Sequence, residues 1–210
     1  MKKAFFFDVD DTLVNSGFLH EKAFLKTISE LGIIAPKFSY SQFEGFRTEE
    51  VFAHYIRDES LIKNASQLKR EFFRDLVGQT NSNLGAMEIL EYLHHEKRKI
   101  FAVSSGSSKS VRASLVNTGL LKWFNGVITY ENTVNSKPHP DPYLLAIKQS
   151  GLKDGDCLAI EDSENGLKSA LSAGLETVLI RADTPDWVAK YDVKQFESLV
   201  EFREKIEGTS

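Results

Sequence analysis

The segment Asp8-Val9-Asp10-Asp11-Thr12 follows directly on the apolar run Phe5-Phe6-Phe7, so a buried strand opens into a cluster of carboxylates. Side chains at i and i+2 of an extended segment share a face. Asp8 and Asp10 then occupy one small volume if the extension persists past Asp8. Two unit charges about 4 Å apart repel by roughly 4 kcal/mol at an effective dielectric near 20. Such a pair needs a positive partner, and a hard divalent cation with oxygen ligands, Mg2+ above all, suits it. A strand ending in a solvated acidic turn is the plain alternative for a lone Asp-x-Asp. Here three other equipped segments accompany it.

Ser104 and Ser105 close the run Ile100-Phe101-Ala102-Val103 ahead of Gly106, where hydroxyls and the free amides of a helix start can hold an anion. Lys137 stands in Asn135-Ser136-Lys137-Pro138-His139-Pro140-Asp141-Pro142, and Glu161 with Asp162 ends Cys157-Leu158-Ala159-Ile160. In a parallel sheet the C-terminal strand ends share one edge. Carboxylates for a metal, hydroxyl and amides for phosphate oxygens, and an ammonium for the remaining negative charge are the equipment of phosphoryl transfer.

The elements that must position these groups are readable from period. Residues 3–8, 100–104, 126–130, 157–161 and 177–180 form short apolar or β-branched runs separated by helical stretches, which predicts an α/β fold with a Rossmann-like parallel-sheet core and helices on both faces. Residues 86–96 carry Met87, Leu90 and Leu93 on one face, and Val111, Leu115 and Leu120 continue a similar stripe. Asp141 reads as an N-cap before Pro142, with Gly151 as the stop of that helix.

Between the first strand and residue 86 the chain runs for about seventy residues with helical period and no clear strand, too long for a simple crossover. Residues 18–31 closing at Gly32, residues 48–57, and a third helix with Leu61, Ala65, Leu68, Phe72 and Leu76 on one face predict an inserted helical unit. Turn-rich residues 15–17 and 78–83 are its hinges. Residues 1–14 and 83–210 are then the catalytic core, and residues 15–82 a helical cap.

A chain of 210 residues, 41% hydrophobic and 27% charged, suits one globular core with such an insert. The formal charge of -4 offers no basic stripe, so nucleic acid and anionic membranes are not expected partners. The single Cys157 allows no internal disulfide and reads as a small buried hydrophobe. A reducing, cytoplasmic location follows, because no apolar run reaches the length of a signal core or a membrane span.

Taken together, these motifs resemble the haloacid dehalogenase superfamily, in its capped phosphatase and phosphomutase branch. Asp8-Val-Asp-Asp-Thr-Leu-Val matches the first motif, Ser104 the second, Lys137-Pro-His-Pro-Asp-Pro-Tyr the third, and Glu161-Asp-Ser-Glu-Asn-Gly-Leu with Ala173-Gly174 the fourth. The resemblance implies that Asp8 is the nucleophile, Asp10 the acid and base, Ser104 a phosphoryl-oxygen partner and Lys137 the balancing cation. It further implies Mg2+ held by Asp8, the main-chain carbonyl of Asp10 and Asp162, with Glu161 orienting metal-bound water. Ser105 and Gly106 would help bind phosphate. An acid at position 10 suits phosphate esters, since an alcohol leaving group needs a proton and a halide does not. The family usually has Gly where this chain has Asp11, so Asp11 is expected to point away from the phosphate.

From the insert, His20, Gly45 and Arg47 are the expected substrate contacts. His20 reads equally well as a helix-start histidine, and Arg47 either clamps a second anionic group or pairs with Glu49 or Glu50. The sugar-phosphate mutases of this branch carry Arg three positions after the cap glycine, where this chain has Thr48. The sequence therefore implies a Mg2+-dependent, monomeric phosphatase of a small phosphorylated metabolite, such as a sugar phosphate or phosphoglycolate, with a β-phosphoglucomutase-like isomerase as runner-up. A phosphorylatable signalling domain or a non-catalytic binding protein fits less well, because the order of the motifs is wrong for the first and the acid set is intact.

Overall fold

Along the computed structural model, which describes residues 2–208, the elements follow in order: β1 (Ala4–Phe7), β2 (Val14–Asn15), α1 (Gly17–Glu30), α2 (Thr48–Tyr55), α3 (Glu59–Leu76), β3 (Asn81–Ser82), α4 (Ala86–His95), β4 (Lys99–Val103), α5 (Ser108–Asn117), β5 (Gly126–Ile128), α6 (Asp141–Ser150), β6 (Cys157–Glu161), α7 (Glu164–Ser172), β7 (Glu176–Ile180), β8 (Lys194–Phe196) and α8 (Leu199–Glu207). Six strands form one sheet in the order β5-β4-β1-β6-β7-β8, with every pairing parallel. The first strand is central and all four of its residues are buried, as expected of a strand covered on both faces.

Alternation along β1 builds two cores. Phe5 and Phe7 join Ile100, Ala102 and Ile160 with Leu90 and Leu93 of α4, Leu115 of α5 and Phe202 of α8. Ala4 and Phe6 join Phe101, Val103 and Ala159 on the other face, with Tyr143 and Ala146 of α6 and Ala170 of α7. This is the Rossmann-like core with helices on both faces. Burying each phenylalanine contributes about 1.5–3 kcal/mol, so β1 is anchored firmly just before its carboxylates begin.

The insert lies between β2 and β3. It has its own aromatic cluster of Phe24, Phe43, Val51, Phe52, Ile56 and Ala65 and a smaller one of Leu19, Ala23 and Phe73. Its two ends meet: Val14 pairs with Ser82 and Asn15 with Asn81 in an antiparallel ladder, so segments that read as turn-rich hinges contain a short β ladder. Asn83 Nδ2 donates to the carbonyls of Asp11 at 2.6 Å and Thr12 at 2.9 Å, fixing the return point to the loop that carries the acids.

Three sequence expectations change locally, and one element was not read. The strand expected over 126–130 ends at Ile128, because Asn132 Oδ1 accepts from the Thr129 amide at 2.8 Å and turns the chain. Asp141 is the first residue of α6 and Pro140 its N-cap, since the Asp141 carboxylate instead accepts from Asn135 Nδ2 at 3.0 Å. The most buried residues of α3 are Ala65, Ser66, Lys69 and Phe73, a face displaced from the apolar stripe because Lys69 turns inward. The edge strand β8, Lys-Gln-Phe, carries too little apolar pattern to be read. No described helix is long and apolar enough to cross a membrane.

Candidate active site

The amide of Asp8 donates to the Ile160 carbonyl at 2.9 Å, which extends β1 by one residue and delivers the Asp8 carboxylate to the C-terminal sheet edge. Lys137 reaches it from the loop before α6. Its Nζ donates to Asp8 Oδ1 at 2.5 Å and to the Val103 carbonyl at 2.8 Å, and lies 2.6 Å from Glu161 Oε1. Burial alone would push this ammonium down. The flanking carboxylates of Asp8 and Glu161 outweigh it and hold Lys137 above the ordinary lysine range. Tyr143 OH donates to the same Glu161 oxygen. The other oxygen, Oε2, accepts no hydrogen bond and lies where a Cβ on Gly166 would meet it at 1.9 Å, so only glycine fits there.

Asp8, Glu161 and Asp162 are all buried and offer carboxylate oxygens within 4.8 Å of one another. Asp162 Oδ1 accepts from Thr12 Oγ1 at 3.3 Å. Burial, then the neighbouring carboxylates of Asp8 and Glu161, raise Asp162 well above the usual range. Burial likewise raises Asp8, with Lys137 pulling the other way and Glu161 and Asp10 adding to the rise. One ammonium thus faces three carboxylates. A hard, all-oxygen donor set with uncompensated negative charge is what Mg2+ takes, and the residues fit it, although Glu161 is already engaged by Lys137 and Tyr143.

Asp10 lines the same cavity as Asp8, but its carboxylate has partners of its own. Its Oδ1 accepts from Ser16 Oγ at 2.7 Å and lies 3.1 Å from His20 Nε2, while Ser104 Oγ donates to its Oδ2 at 3.3 Å. Burial would raise this carboxyl, but His20, Ser16 and Lys69 together hold it well below the carboxylate range. His20 stacks on Phe73, with ring centroids 4.2 Å apart, and its Nδ1 lies 2.6 Å from Lys69 Nζ. An ammonium has only donors, so Nδ1 accepts and Nε2–H donates to Asp10. Burial first, then Lys69, lower His20, and burial pushes Lys69 itself down to about 7. His20 is therefore an interior residue in contact with the Asp10 carboxyl.

Asp11 adopts φ 61, a left-handed conformation tolerated by Asp. Its Oδ1 accepts from the amides of Ser16 at 3.1 Å and Gly17 at 2.8 Å, so it caps α1. A Cβ on Gly17 would fall 2.3 Å from Asp11 Oδ2, which ties the two residue types together.

A cavity of about 40 Å³ joins these groups. Asp8, Asp10, Ser104, Ser105, Gly106 and Asp162 line it from the core, and His20, Tyr40, Gly45, Thr48 and Lys69 from the insert. The Gly106 amide donates to Ser104 Oγ at 2.9 Å, and Ser105 Oγ has no hydrogen-bond partner. Gly45 has φ 80, and a Cβ there would meet Ser163 Oγ at 2.9 Å. Arg47 is not in the lining. Its guanidinium lies 5.5 Å from the Tyr130 ring centre, beside Arg70 at 5.1 Å. Glu49 pairs with Arg70, and Glu50 accepts the Arg47 main-chain amide at 2.8 Å, so neither anticipated partner holds the Arg47 side chain.

Sequence reading quoted Thr12 and Tyr143 within motifs but gave no role to them, nor to Lys69 and Ser16. Lys69 had one signal, its place four residues from both Ala65 and Phe73 on α3. The others had none beyond their nearness to motifs.

A model of the haloacid dehalogenase-like hydrolases matches residues 5–180. The chain belongs to that family. This haloacid dehalogenase-like hydrolase is 31% identical to YhcW of Bacillus subtilis over 185 residues, 86% of this chain and 84% of that one. It is 30% identical to hexitol phosphatase A of Escherichia coli over 187 residues, 87% of this chain and 86% of the relative. Among solved structures, CbbY of Rhodobacter sphaeroides in complex with phosphate superposes with a TM-score of 0.84 at 23% identity, covering 96% of each chain. The fold is shared, and the chain is a phosphoric monoester hydrolase of this family.

Proposed function

We propose that this hydrolase is a Mg2+-dependent phosphomonoesterase that acts on a small phosphorylated metabolite, of the sugar phosphate or phosphoglycolate type, through an aspartyl phosphate on Asp8. Residues 15–82 act as the cap that selects the substrate. The observation that carries the reading is the placement of Lys137 2.5 Å from Asp8, whose carboxylate lines one cavity with Asp10 and the His20 that contacts it.

In the first step the Asp8 carboxylate attacks phosphorus, the bond from phosphorus to the alcohol oxygen breaks, and Asp10 gives its proton to that oxygen. Asp10 is ionised in the resting arrangement. The arriving phosphate, a like charge nearby, favours its protonated form. In the second step Asp10 takes a proton from the water that attacks phosphorus, releasing inorganic phosphate and restoring Asp8. Lys137 stays protonated throughout and offsets charge on nucleophile and phosphate, while Ser104, held by the Gly106 amide, and the unpartnered Ser105 hydroxyl are the groups left to meet the phosphoryl oxygens. Asp8 and Asp162, with the Asp10 main-chain carbonyl, would hold Mg2+, which when bound neutralises charge on the phosphoryl group.

A compact cavity and the 30% identity to a hexitol phosphatase support a small polyol or sugar ester. Hydrolysis is favoured over isomerisation because Thr48 lines the cavity while Arg47 lies on Tyr130, leaving the position expected to hold a second phosphate without its arginine. The test is a panel of phosphorylated metabolites with and without Mg2+, scored by released phosphate, including β-glucose 1-phosphate with catalytic β-glucose 1,6-bisphosphate. Mg2+-dependent phosphate release is expected. Rapid formation of glucose 6-phosphate with little free phosphate would reverse the choice.

A further inference from the structure

Arg181 follows β7 immediately and stands where the insert meets the Asp162 side of the site. Its NH1 donates to Glu44 Oε2 at 2.8 Å and to the main-chain carbonyl of Asp162 at 2.9 Å. Nε and NH2 take the two oxygens of Asp183 at 2.7 and 3.1 Å. The backbone beneath is fixed: the Arg181 amide donates to the Phe196 carbonyl at 2.9 Å, and Gln195 Nε2 donates to the Arg181 carbonyl at 2.9 Å. The guanidinium is therefore a rigid fork, and the one partner of its charged end that comes from the insert is Glu44.

Glu44 presents a problem that this fork resolves. It lines the active-site cavity and a neighbouring cavity of about 370 Å³ that also borders Asp162 and Arg181. Closing the insert thus carries a carboxylate toward Asp8, Glu161, Asp162 and Asp11, whose nearby cation Lys137 is already committed to Asp8 and Glu161. Like charges at this separation repel. Sterically, however, the loop is built to sit close, since Gly45 has no side chain to strike Ser163 and Asn165 Nδ2 reaches the Glu44 carbonyl at 3.4 Å. Only a cation between Glu44 and the acid cluster reconciles the close approach with the charges.

We propose that Arg181 is a positioning residue that clasps the Glu44–Gly45 loop over the site and at the same time holds the Asp162 main chain, so that closure of the insert and alignment of the Asp162 carboxylate are one event. Arg181 touches no reacting atom and acts through Glu44 and Asp162. The kinetic arm of the test rests on the proposed phosphatase reading; the exchange arm does not.

The experiment combines amide hydrogen exchange of peptides spanning residues 43–47 with steady-state hydrolysis of an aryl phosphate in Mg2+, for Arg181→Gln, Arg181→Lys, Glu44→Gln and the double Gln variant. Arg181→Gln and Glu44→Gln should each speed exchange and lower kcat/KM by about tenfold or more, the scale of a lost charge-assisted hydrogen bond. The double variant should be no worse than Arg181→Gln alone, and Arg181→Lys, which keeps the charge, should recover part of both readouts. Exchange in Arg181→Gln equal to that of the parent, or two single effects that add in the double, would overturn the clasp. If Arg181→Gln does not fold, Glu44→Gln and Arg181→Lys decide, and exchange in Glu44→Gln equal to that of the parent would overturn the clasp. Hydrolysis absent from the parent as well would reject the phosphatase reading, while the exchange data still judge the clasp.

Discussion

Two buried lysines, Lys137 behind the Asp8 carboxylate and Lys69 in the cavity wall, meet opposite fates. Lys137, 1% exposed and from the core, sits between Asp8 and Glu161 and is held above its ordinary range. Lys69, 3% exposed and from the insert, has His20 as its hydrogen-bond partner and packs 4.4 Å from the Phe24 ring centre and 5.2 Å from that of Phe73; burial pushes it down to about 7. Equal burial thus gives opposite shifts, because the sign depends on whether carboxylates touch the ammonium. The floor of the site is electrostatically fixed. Its roof carries a charge that can be given up near neutral pH.

The largest break in this contrast comes at the floor. Asp8→Asn should lower phosphate release by about 10⁴-fold or more, because the amide is a poor nucleophile; unchanged turnover would remove Asp8 from the mechanism. Lys137→Met leaves Asp8 and Glu161 buried beside each other without their cation, so urea unfolding should show a loss of about 3–5 kcal/mol. Lys69→Met removes a cation with no carboxylate in contact, and should cost less than about 1.5 kcal/mol at pH 7. Equal losses would dissolve the distinction between the two lysines.

The next effect is at Asp10, which faces both halves. Asp10→Asn should cost an alkyl phosphate roughly 10²- to 10⁴-fold and an activated aryl phosphate less, since only the poor leaving group depends on the proton. Identical losses on both esters would assign Asp10 to binding rather than acid catalysis.

A subtler test uses pH. The folded pKa of Lys69 lies below its unfolded value, so between about 7 and about 10 the unfolded chain binds one more proton than the folded one. This group therefore makes the parent more stable as pH rises through that window, and Lys69→Met should lack that increment. Melting series from pH 6.5 to 9.5 should show the parent gaining on the variant; parallel curves would contradict the depressed lysine. The smallest change belongs to Arg47→Ala, because its guanidinium rests on Tyr130 outside the cavity. Less than about threefold in kcat/KM is expected, alike for esters with and without a second anionic group. A selective loss on the dianionic ester would return Arg47 to substrate binding.

The same contrast explains what was legible in the sequence. The floor was readable because its strand-borne groups end apolar runs, and an apolar run that stops at a polar residue is a local pattern: Phe7 before Asp8, Val103 before Ser104, Ile160 before Glu161, with Lys137 legible from its own proline-rich motif. The roof was not, because its chemistry depends on tertiary burial. Lys69 looks like the solvated face of α3 until Phe24 and Phe73 close over it, and the hydrogen bond from Tyr143 to Glu161 has no local mark. At the start of α2 a single residue decides the outcome. Arg47 is the N-cap and Thr48 the first helical residue, so the two side chains leave in different directions and Thr48 alone reaches the cavity.

The account stands most directly on a phosphoryl group carried by Asp8. Asp10→Asn should slow the attack of water more than the first transfer with a good leaving group, so the variant, mixed with an aryl phosphate and Mg2+, acid-quenched and digested, should yield the peptide containing Asp8 heavier by one phosphoryl group, and Asp8→Asn should not. Turnover of that variant without any phosphorylated peptide at any quench time, or the phosphoryl group on a different residue, would contradict it.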